Sequence, residues 1–241
     1  MSWKDVIITP AVSFGICLVA FLCTWAFHDR YKPDLFASAL IFYVSMTAWT
    51  LLVLKILRTL FPIKDGVYSL TRNADIYYLY NLYSFLCITN LCLLFVNGLL
   101  PPFFRQFFYR MLGVKTGNGI VFIGGRLWEP HRITIEEGAM IGDEAMLIPH
   151  AHIVTSENTL ILGRIEIKKG AMIGARSVLM PGVSVGENSM VNAMSLVPMN
   201  TKIPPYEIWG GNPAKKIGEI KAPGKMGSAE SMKETEEALR D

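Results

Sequence analysis

Hydrophobic side chains recur every six residues across the second half of the chain, and a small or β-branched residue stands two positions before each of them. The aliphatic positions are Ile135, Ile141, Leu147 and Ile153 in a first run and Ile167, Ile173, Leu179, Val185, Val191 and Val197 in a second. Neither helical nor simple strand periodicity produces this spacing. It is typical of a parallel β-helix, in which short strands meet at tight corners and each coil covers the next. Gly142, Gly174 and Gly186 directly follow aliphatic positions, and we expect them at these corners.

The repeat is interrupted once, between Ile153 and Ile167, where the spacing exceeds two repeats by two residues. We expect residues 155–163 to form a loop outside the coil. His150 and His152 stand just before this loop. Because insertions into a solenoid map to one face, often the binding face, the interruption marks a candidate functional site.

Two apolar stretches begin the chain, at residues 6–27 and about 35–57. Each could cross a hydrocarbon core of about 30 Å as a helix. A signal peptide is the alternative for the first stretch, but no small-residue cleavage site follows it and the second stretch comes at once. Basic residues are concentrated in the following loop, residues 55–75, which predicts that both ends of the helical hairpin are cytoplasmic.

A third apolar stretch, residues 76–104, has basic residues on both flanks. A third membrane span would carry the repeat region to the outside. The flanking charges instead favour a re-entrant or interfacial helical pair, broken near Gly98 and Pro101, with both of its ends cytoplasmic.

Composition supports a membrane-bound protein. The chain is 51% hydrophobic, with a net charge of +3 and a mean hydropathy of +0.35. The apolar excess lies before residue 110, and the basic residues cluster beside it, so anionic lipid headgroups explain them better than nucleic acid does. All four cysteines lie in the apolar segments, so the repeat region has neither a disulfide nor a nucleophilic thiol. Residues 221–241 form a polar, charge-mixed tail.

The segments Ile165–Val197 and Gly210–Ile217 resemble those of the hexapeptide-repeat acyltransferases. The resemblance implies a left-handed β-helix, a homotrimer, and a closing turn followed by a short C-terminal helix. The segments Arg105–Asn118 and Gly66–Leu70 resemble a membrane-bound subgroup, which includes sugar O-acetyltransferases and the terminal domain of some non-ribosomal peptide synthetases.

These observations predict a chain of mixed class in three parts. Residues 1–110 form a membrane-embedded helical region, residues 111–220 form the left-handed parallel β-helix, and residues 221–241 form the tail.

The candidate catalytic groups are histidines near the interruption. Acyl transfer needs an imidazole that takes a proton from the attacking hydroxyl or amine. By resemblance, a gap-free register places His152 where soluble sugar and xenobiotic acetyltransferases carry their catalytic histidine. The subgroup's Leu-x-(Pro/Thr)-His run instead matches Leu147–His150 and favours His150, and both assignments stay open. Glu129 and Glu157 are the carboxylates that could orient the imidazole.

The resemblance also implies an acyl donor, most simply acetyl-CoA, and no metal. By resemblance, Ala175 and Ala193 border the groove for the pantetheine arm, and Lys215 lies near the phosphates. The alternative for the two alanines is that they are corner residues of the solenoid.

Together these features predict a membrane-tethered, acyl-CoA-dependent acyltransferase at the cytoplasmic face of the inner membrane. The expected reaction is acetyl transfer to a hydroxyl or amine of a sugar or lipid-linked sugar in envelope glycan assembly. Three alternatives stay open. The first is acyl or aminoacyl transfer to an amino-acid or peptide amine, and the second is a non-catalytic trimeric membrane scaffold. The third is a metal-dependent hydratase, since carbonic anhydrases share this solenoid, although their His-x4-His pair departs from the His-x-His pair here.

Overall fold

Two long apolar helices come first in the chain. The structure, a computed structural model, describes residues 3–95, 102–117, 119, 122–154 and 158–221. Helix α1 spans Trp3–Tyr31 and helix α2 spans Leu35–Leu60. The side chain of Asp34 caps α2 by accepting a hydrogen bond from the Ala37 amide at 2.7 Å. Both helices are long and apolar enough to cross a membrane, in agreement with the two stretches identified in the sequence.

Two further helices cover most of the third apolar stretch and the residues that follow it. Helix α3 spans Ala74–Phe95 and helix α4 spans Pro102–Met111. The break expected at Gly98 and Pro101 lies outside the described residues. The Tyr83 hydroxyl of α3 lies 2.8 Å from the carbonyl oxygen of Phe61 and 3.0 Å from that of Leu57, so its one proton is shared between two acceptors at the end of α2. The position of these helices relative to a bilayer stays a prediction.

By contacts, the chain forms two compact units. The first comprises Met1–Val114, Glu129–Arg132 and Pro149–Gly163, and the second comprises Lys115–Trp128, Ile133–Ile148 and Arg164–Asp241. Two short pieces of the repeat region therefore belong with the helices. The three-part division predicted from the sequence stays a prediction.

The second unit contains three sheets whose strands recur along the chain and, apart from the last strand, are parallel, as in a β-helix with three faces. Strands at equivalent places in successive coils pair in parallel, so that Met172 lies beside Met190 and Val178 beside Leu196. The left hand expected from the family resemblance stays a prediction.

The first face carries strands β2 (Lys115–Thr116), β5 (Ile133–Ile135), β10 (Ile165–Ile167), β13 (Ser184–Val185) and β16 (Lys202–Ile203). The second carries β3 (Phe122–Ile123), β6 (Met140–Ile141), β11 (Met172–Ile173), β14 (Met190–Val191), β17 (Glu207–Gly211) and β18 (Ala214–Glu219). The third carries β4 (Arg126–Leu127), β7 (Met146–Leu147), β12 (Val178–Leu179) and β15 (Leu196–Val197).

The six-residue pattern correctly identifies the core of the coils, with one exception. Nine of the ten aliphatic positions are fully buried: Ile135, Ile141, Leu147, Ile167, Ile173, Leu179, Val185, Val191 and Val197. Ile153 is 39% exposed, so its assignment to the core is wrong. The chain leaves the coil before this residue, and Ile153 pairs with Thr159 in a hairpin instead.

Close approach between coils explains the glycines that follow aliphatic positions. A Cβ at Gly142 would lie 2.6 Å from the amide nitrogen of Ala175, and one at Gly186 would lie 2.5 Å from Pro205 nitrogen. No positive φ is recorded for Gly142, Gly174 or Gly186. These glycines are therefore needed because the next coil's backbone packs directly on them, and not for an unusual backbone conformation.

The expected loop at the interruption is a β-hairpin in the first unit. Strand β8 (His150–Ile153) pairs antiparallel with β9 (Thr159–Leu162), and residues 155–157 between them lie outside the described residues. On its other edge β9 pairs antiparallel with β1 (Gly66–Ser69), the segment that follows α2. The interruption thus builds a three-stranded sheet, since its alternating apolar residues gain a distant partner strand.

The closing turn leads into a strand. After Pro213, residues Ala214–Glu219 form β18, which pairs antiparallel with β17 across the end of the solenoid. The short helix expected after this turn is not found up to Lys221, and residues 222–241 lie outside the described residues. The physical reason is the open edge of β17, whose backbone groups find partners in β18.

Candidate active site

A histidine and a buried glutamate form the centre of the candidate site. His150 Nδ1 lies 2.8 Å from Glu129 Oε2, and only 6% of the Glu129 side chain is exposed. An ionised carboxylate has no proton to donate, so Nδ1 carries the proton and donates it in this hydrogen bond. The second ring nitrogen, Nε2, is then the nitrogen with the lone pair. The pair therefore has the arrangement of an oriented general base.

Helix α3 contributes a tyrosine that contacts the carboxylate of Glu129. The Tyr80 hydroxyl donates to Glu129 Oε1 at 3.3 Å, so both carboxylate oxygens have partners. Tyr80 is buried and packs against Leu160 and Leu162 of β9. Burying a carboxylate is costly unless it is hydrogen-bonded, and these two contacts offset that cost. Tyr80 thereby holds Glu129 in position for His150.

A second histidine lies beside the first. The rings of His150 and His152 have centroids 5.7 Å apart. The Tyr77 hydroxyl lies 3.0 Å from His152 Nδ1, and its ring meets that of His152 edge-on. Burial lowers the pKa of His152, and the nearby imidazole of His150 lowers it further. His152 is therefore uncharged at neutral pH and can accept as well as donate a hydrogen bond.

A tight turn brings Glu129 into the site. Glu129 has φ +38, in the left-handed region that non-glycine residues seldom adopt. A 3-10 turn over Pro130–Arg132 follows it. The buried Arg132 forms an ion pair with Asp65 and donates to the Ile63 carbonyl at 2.8 Å. The loop after α2 therefore anchors the turn, so that the carboxylate is held by backbone and packing together.

The structure brings together some of the residues singled out in the sequence. His150, His152 and Glu129 meet in one cluster, whereas Glu157 lies outside the described residues. Tyr77 and Tyr80 were not identified as site residues from the sequence. Their signal is the one-turn spacing of Tyr77, Tyr80 and Tyr83 along α3.

The expected donor-binding residues lie in the second unit. Ala175 and Ala193 are exposed and occupy equivalent corners of successive coils, where the Met194 amide donates to the Ala175 carbonyl at 2.9 Å. Lys215 is exposed on β18, opposite Gly210. Their role in binding a donor stays a prediction.

Among the described residues, no group of three or more histidine, cysteine, aspartate or glutamate side chains could hold a metal ion. The His150–His152 pair, with Glu129 bonded to Nδ1 of His150, instead suits proton transfer.

Two curated proteins are similar to parts of the chain, and no protein-family model matches it. Over 123 residues the chain is 31% identical to delta-poly-L-ornithine synthetase of Acinetobacter baumannii (strain AB307-0294), a match that covers 49% of this chain and 9% of that protein. Over 39 residues it is 54% identical to the mitochondrial gamma carbonic anhydrase 2 of Arabidopsis thaliana, covering 16% of this chain and 14% of that protein. The chain thus spans a small part of each of these relatives.

Solved structures similar to this chain include hexapeptide-repeat acetyltransferases. One, from Vibrio cholerae O1 biovar eltor in complex with acetyl coenzyme A, is 22% identical, with a TM-score of 0.47 over 63% of this chain and 92% of that chain. Another, a maltose O-acetyltransferase from Clostridium difficile 630, is 17% identical, with a TM-score of 0.46 over 66% of this chain and 94% of that chain. At these identities and TM-scores, the likeness by itself assigns neither a fold nor an activity to this chain.

Proposed function

We propose that this protein is a membrane-tethered acyltransferase that uses an acyl-CoA donor, with His150 as the general base. The observation that carries the proposal is the hydrogen bond between His150 Nδ1 and the buried carboxylate of Glu129. It orients the imidazole and leaves Nε2 as the basic nitrogen. The six-residue repeat and its family resemblance support an acyl transfer, since no thiol nucleophile is present in the repeat region.

In the proposed reaction, the acceptor hydroxyl or amine attacks the thioester carbonyl while Nε2 of His150 takes its proton. The tetrahedral intermediate then collapses, the C–S bond breaks, and the proton passes to the leaving thiolate of coenzyme A. Glu129 stabilises the imidazolium that forms between these steps, because its charge is fixed beside Nδ1. His152 and Tyr77 form a polar pair that positions the acceptor.

The proposed acceptor is a sugar or lipid-linked sugar of the cell envelope. The two apolar helices support a membrane tether, and a tethered site meets a lipid-linked acceptor at high effective concentration. The basic loop at residues 55–75 supports a cytoplasmic orientation at the inner membrane. The expected assembly is a homotrimer, with Ala175, Ala193 and Lys215 along the groove that holds the donor.

A second candidate is acyl or aminoacyl transfer to an amino-acid or peptide amine. It is favoured by the similarity to delta-poly-L-ornithine synthetase, which covers about half of this chain. The two candidates share a base and differ in the acceptor, so the choice of substrate in an assay separates them.

The test measures thiol release from acetyl-CoA by the purified full chain, with sugars and amino acids as separate acceptors. His150→Ala should lower kcat by roughly 10²–10⁴-fold. His28→Ala is the matched control, because His28 is an exposed histidine in the last turn of α1 that hydrogen-bonds Ser38 near the start of α2 and lies far along the chain from the candidate site. Full turnover in His150→Ala with any acceptor would contradict the proposed base. If neither acceptor class reacts and His150→Ala causes no loss in the cell, the protein acts as a scaffold.

A further inference from the structure

A cavity of ≈ 440 Å³ lies in the first unit, beside the end of α2. Its volume is within the range of about 300–1,000 Å³ that is usual for small-molecule sites. Gly113, at φ +102, follows the end of α4 and lines the cavity, and a Cβ there would lie 3.1 Å from that of His131. The side chains that decide its chemistry are Leu51, Leu54, Lys55, Arg58, Arg110 and His131.

The cavity is basic. Three of its described lining residues, Lys55, Arg58 and Arg110, are cationic, and none of those lining residues is a carboxylate. The Arg58 guanidinium is held in place, since Nη1 donates to the Leu112 carbonyl at 2.7 Å. Its Nε is buried and has no hydrogen-bond partner among the described residues. A buried donor of this kind is usually satisfied, so it points to an acceptor supplied by a ligand.

The cavity also has an apolar side, which is formed by residues of helix α2. Helix α2 has 26 residues, and at 1.5 Å per residue it is about 39 Å long, longer than a hydrocarbon core of about 30 Å. Its last turns therefore reach the depth of the lipid headgroups if α2 spans the membrane. With α2 in the membrane, Leu51 and Leu54 would lie nearer the hydrocarbon, and Lys55 and Arg58, which also line the cavity, follow within one turn. Apolar side chains next to a group of cations suit a lipid that carries a phosphate, because the chains can contact the former and the phosphate the latter.

We propose that this cavity binds the phosphate group of a membrane lipid, with the lipid chains along α2. The inference deepens the proposed function and rests on its membrane insertion. His131 follows Glu129 by two residues on the same 3-10 turn, and the ion pair between Arg132 and Asp65 fixes that turn. A phosphate in the cavity and the carboxylate that orients His150 are thus held by one short segment. A lipid-linked acceptor bound there has its headgroup anchored beside the turn that positions the base.

The experiment measures binding to the full chain in detergent micelles, by native mass spectrometry and by competition with fluorescent phosphatidic acid. The three probes are dioleoyl phosphatidic acid, dioleoylglycerol and inorganic phosphate. The cavity variant is Lys55→Gln with Arg110→Gln. Its matched control is Lys64→Gln with Arg72→Gln, which removes two positive charges from exposed positions near α2 that do not line the cavity.

Phosphatidic acid should bind, and the cavity variant should weaken its binding roughly 10-fold or more, because it removes two of the cations that attract the anionic headgroup. The control pair should bind like the unsubstituted protein, and dioleoylglycerol and inorganic phosphate should fail to compete. Equal weakening by both pairs would mean non-specific attraction and would overturn the site. Equal competition by inorganic phosphate would overturn the lipid as its occupant. Melting temperatures of both pairs check that the fold is intact.

The assay contains no acyl donor, so its outcome is independent of turnover. His150→Ala should bind phosphatidic acid as the unsubstituted protein does, because His150 does not line the cavity. Failure of the catalytic proposal would appear as unchanged turnover in His150→Ala. Failure of the lipid site would appear as unchanged lipid binding in the cavity pair.

Discussion

At the scale of single residues, the carboxylate of Glu129 decides how the imidazole of His150 can act. Both oxygens of this buried group are engaged, one by His150 and one by Tyr80. Glu129 does not meet the substrate in the proposed reaction and acts through the histidine. It is therefore a positioning residue whose effect should depend on the presence of His150.

This dependence gives a test. Glu129→Gln keeps an oxygen that can accept from Nδ1 and loses the charge that stabilises the imidazolium. We expect kcat to fall by roughly 10²-fold, and this loss should not exceed the loss of kcat in His150→Ala. The double variant should be no slower than His150→Ala alone, because groups that act as one unit are not additive. Independent, multiplying losses in steady-state kinetics would contradict the assignment of Glu129 to His150.

The lowered pKa of His152 predicts how stability changes with pH. Burial and the neighbouring His150 lower the folded-state pKa of His152 below its ordinary value. The unfolded chain then binds more protons than the folded one just below about pH 6.5, so the free energy of unfolding falls as pH falls through that range. The effect should be small, because His152 is only partly removed from water and keeps much of its contact with solvent.

The measurement is the melting temperature of the full chain in detergent between about pH 8 and pH 5.5. The fall at acid pH should be smaller in His152→Gln, which has no group to protonate at this position. A fall of the same size in both proteins would assign it to other residues.

The sequence predicts the histidine–glutamate pair only in part. The sequence offers Glu129 and Glu157 as carboxylates that could orient the imidazole, and the choice between them could not be made from spacing. The contribution of Tyr80 could not be predicted at all, because it depends on which side of α3 packs against Leu160 and Leu162. Such packing between distant segments leaves no periodic signal in the sequence.

At the scale of elements, structure that arises from the repeat can be predicted from the sequence, and pairing between distant segments cannot. The coils follow directly from the six-residue repeat, because each inward aliphatic is covered by its equivalent in the next coil. The hairpin of β8 and β9 is not predicted, since β9 finds its second partner in β1, far earlier in the chain. The closing strand β18 likewise depends on the free edge of β17 and not on its own residues.

The packing between coils predicts which glycines can be replaced. In Gly142→Ala, the new Cβ would lie 2.6 Å from the Ala175 nitrogen and 2.8 Å from the Ile173 carbonyl oxygen, both backbone atoms. We expect a loss of about 1–3 kcal/mol in the free energy of unfolding, because the coils must separate locally. The measurement is chemical or thermal unfolding of the full chain.

Gly218→Ala is the matched control in the same unit. Its Cβ would lie 3.7 Å from Ile208 Cδ1, an ordinary contact with a side chain. We expect a change within about 0.5 kcal/mol. Equal losses in the two variants would show that the tight spacing at Gly142 does not limit the stability of the solenoid.

At the scale of the whole molecule, the expected homotrimer predicts an active site that is shared between two copies of the chain. The candidate base lies in the first unit, and the expected donor-binding residues Ala175 and Ala193 lie in the second. In the family that the repeat resembles, the donor lies in the groove between two solenoids. By this resemblance we expect a homotrimer whose active sites combine the base of one subunit with the groove of the next.

If the active site is shared between subunits, two inactive variants should recover turnover when they assemble into the same trimer. His150→Ala removes the base, and Ala193→Trp fills the groove at an exposed corner where the side chain is small. In mixed trimers, some interfaces combine an intact base with an intact groove, which gives about a quarter of the unsubstituted turnover for random assembly. Each variant alone should form trimers by native mass spectrometry and show little turnover. If the co-expressed subunits assemble as trimers but thiol release does not recover, the base and the groove come from the same subunit. An active monomer would show that the assembly is not needed for turnover.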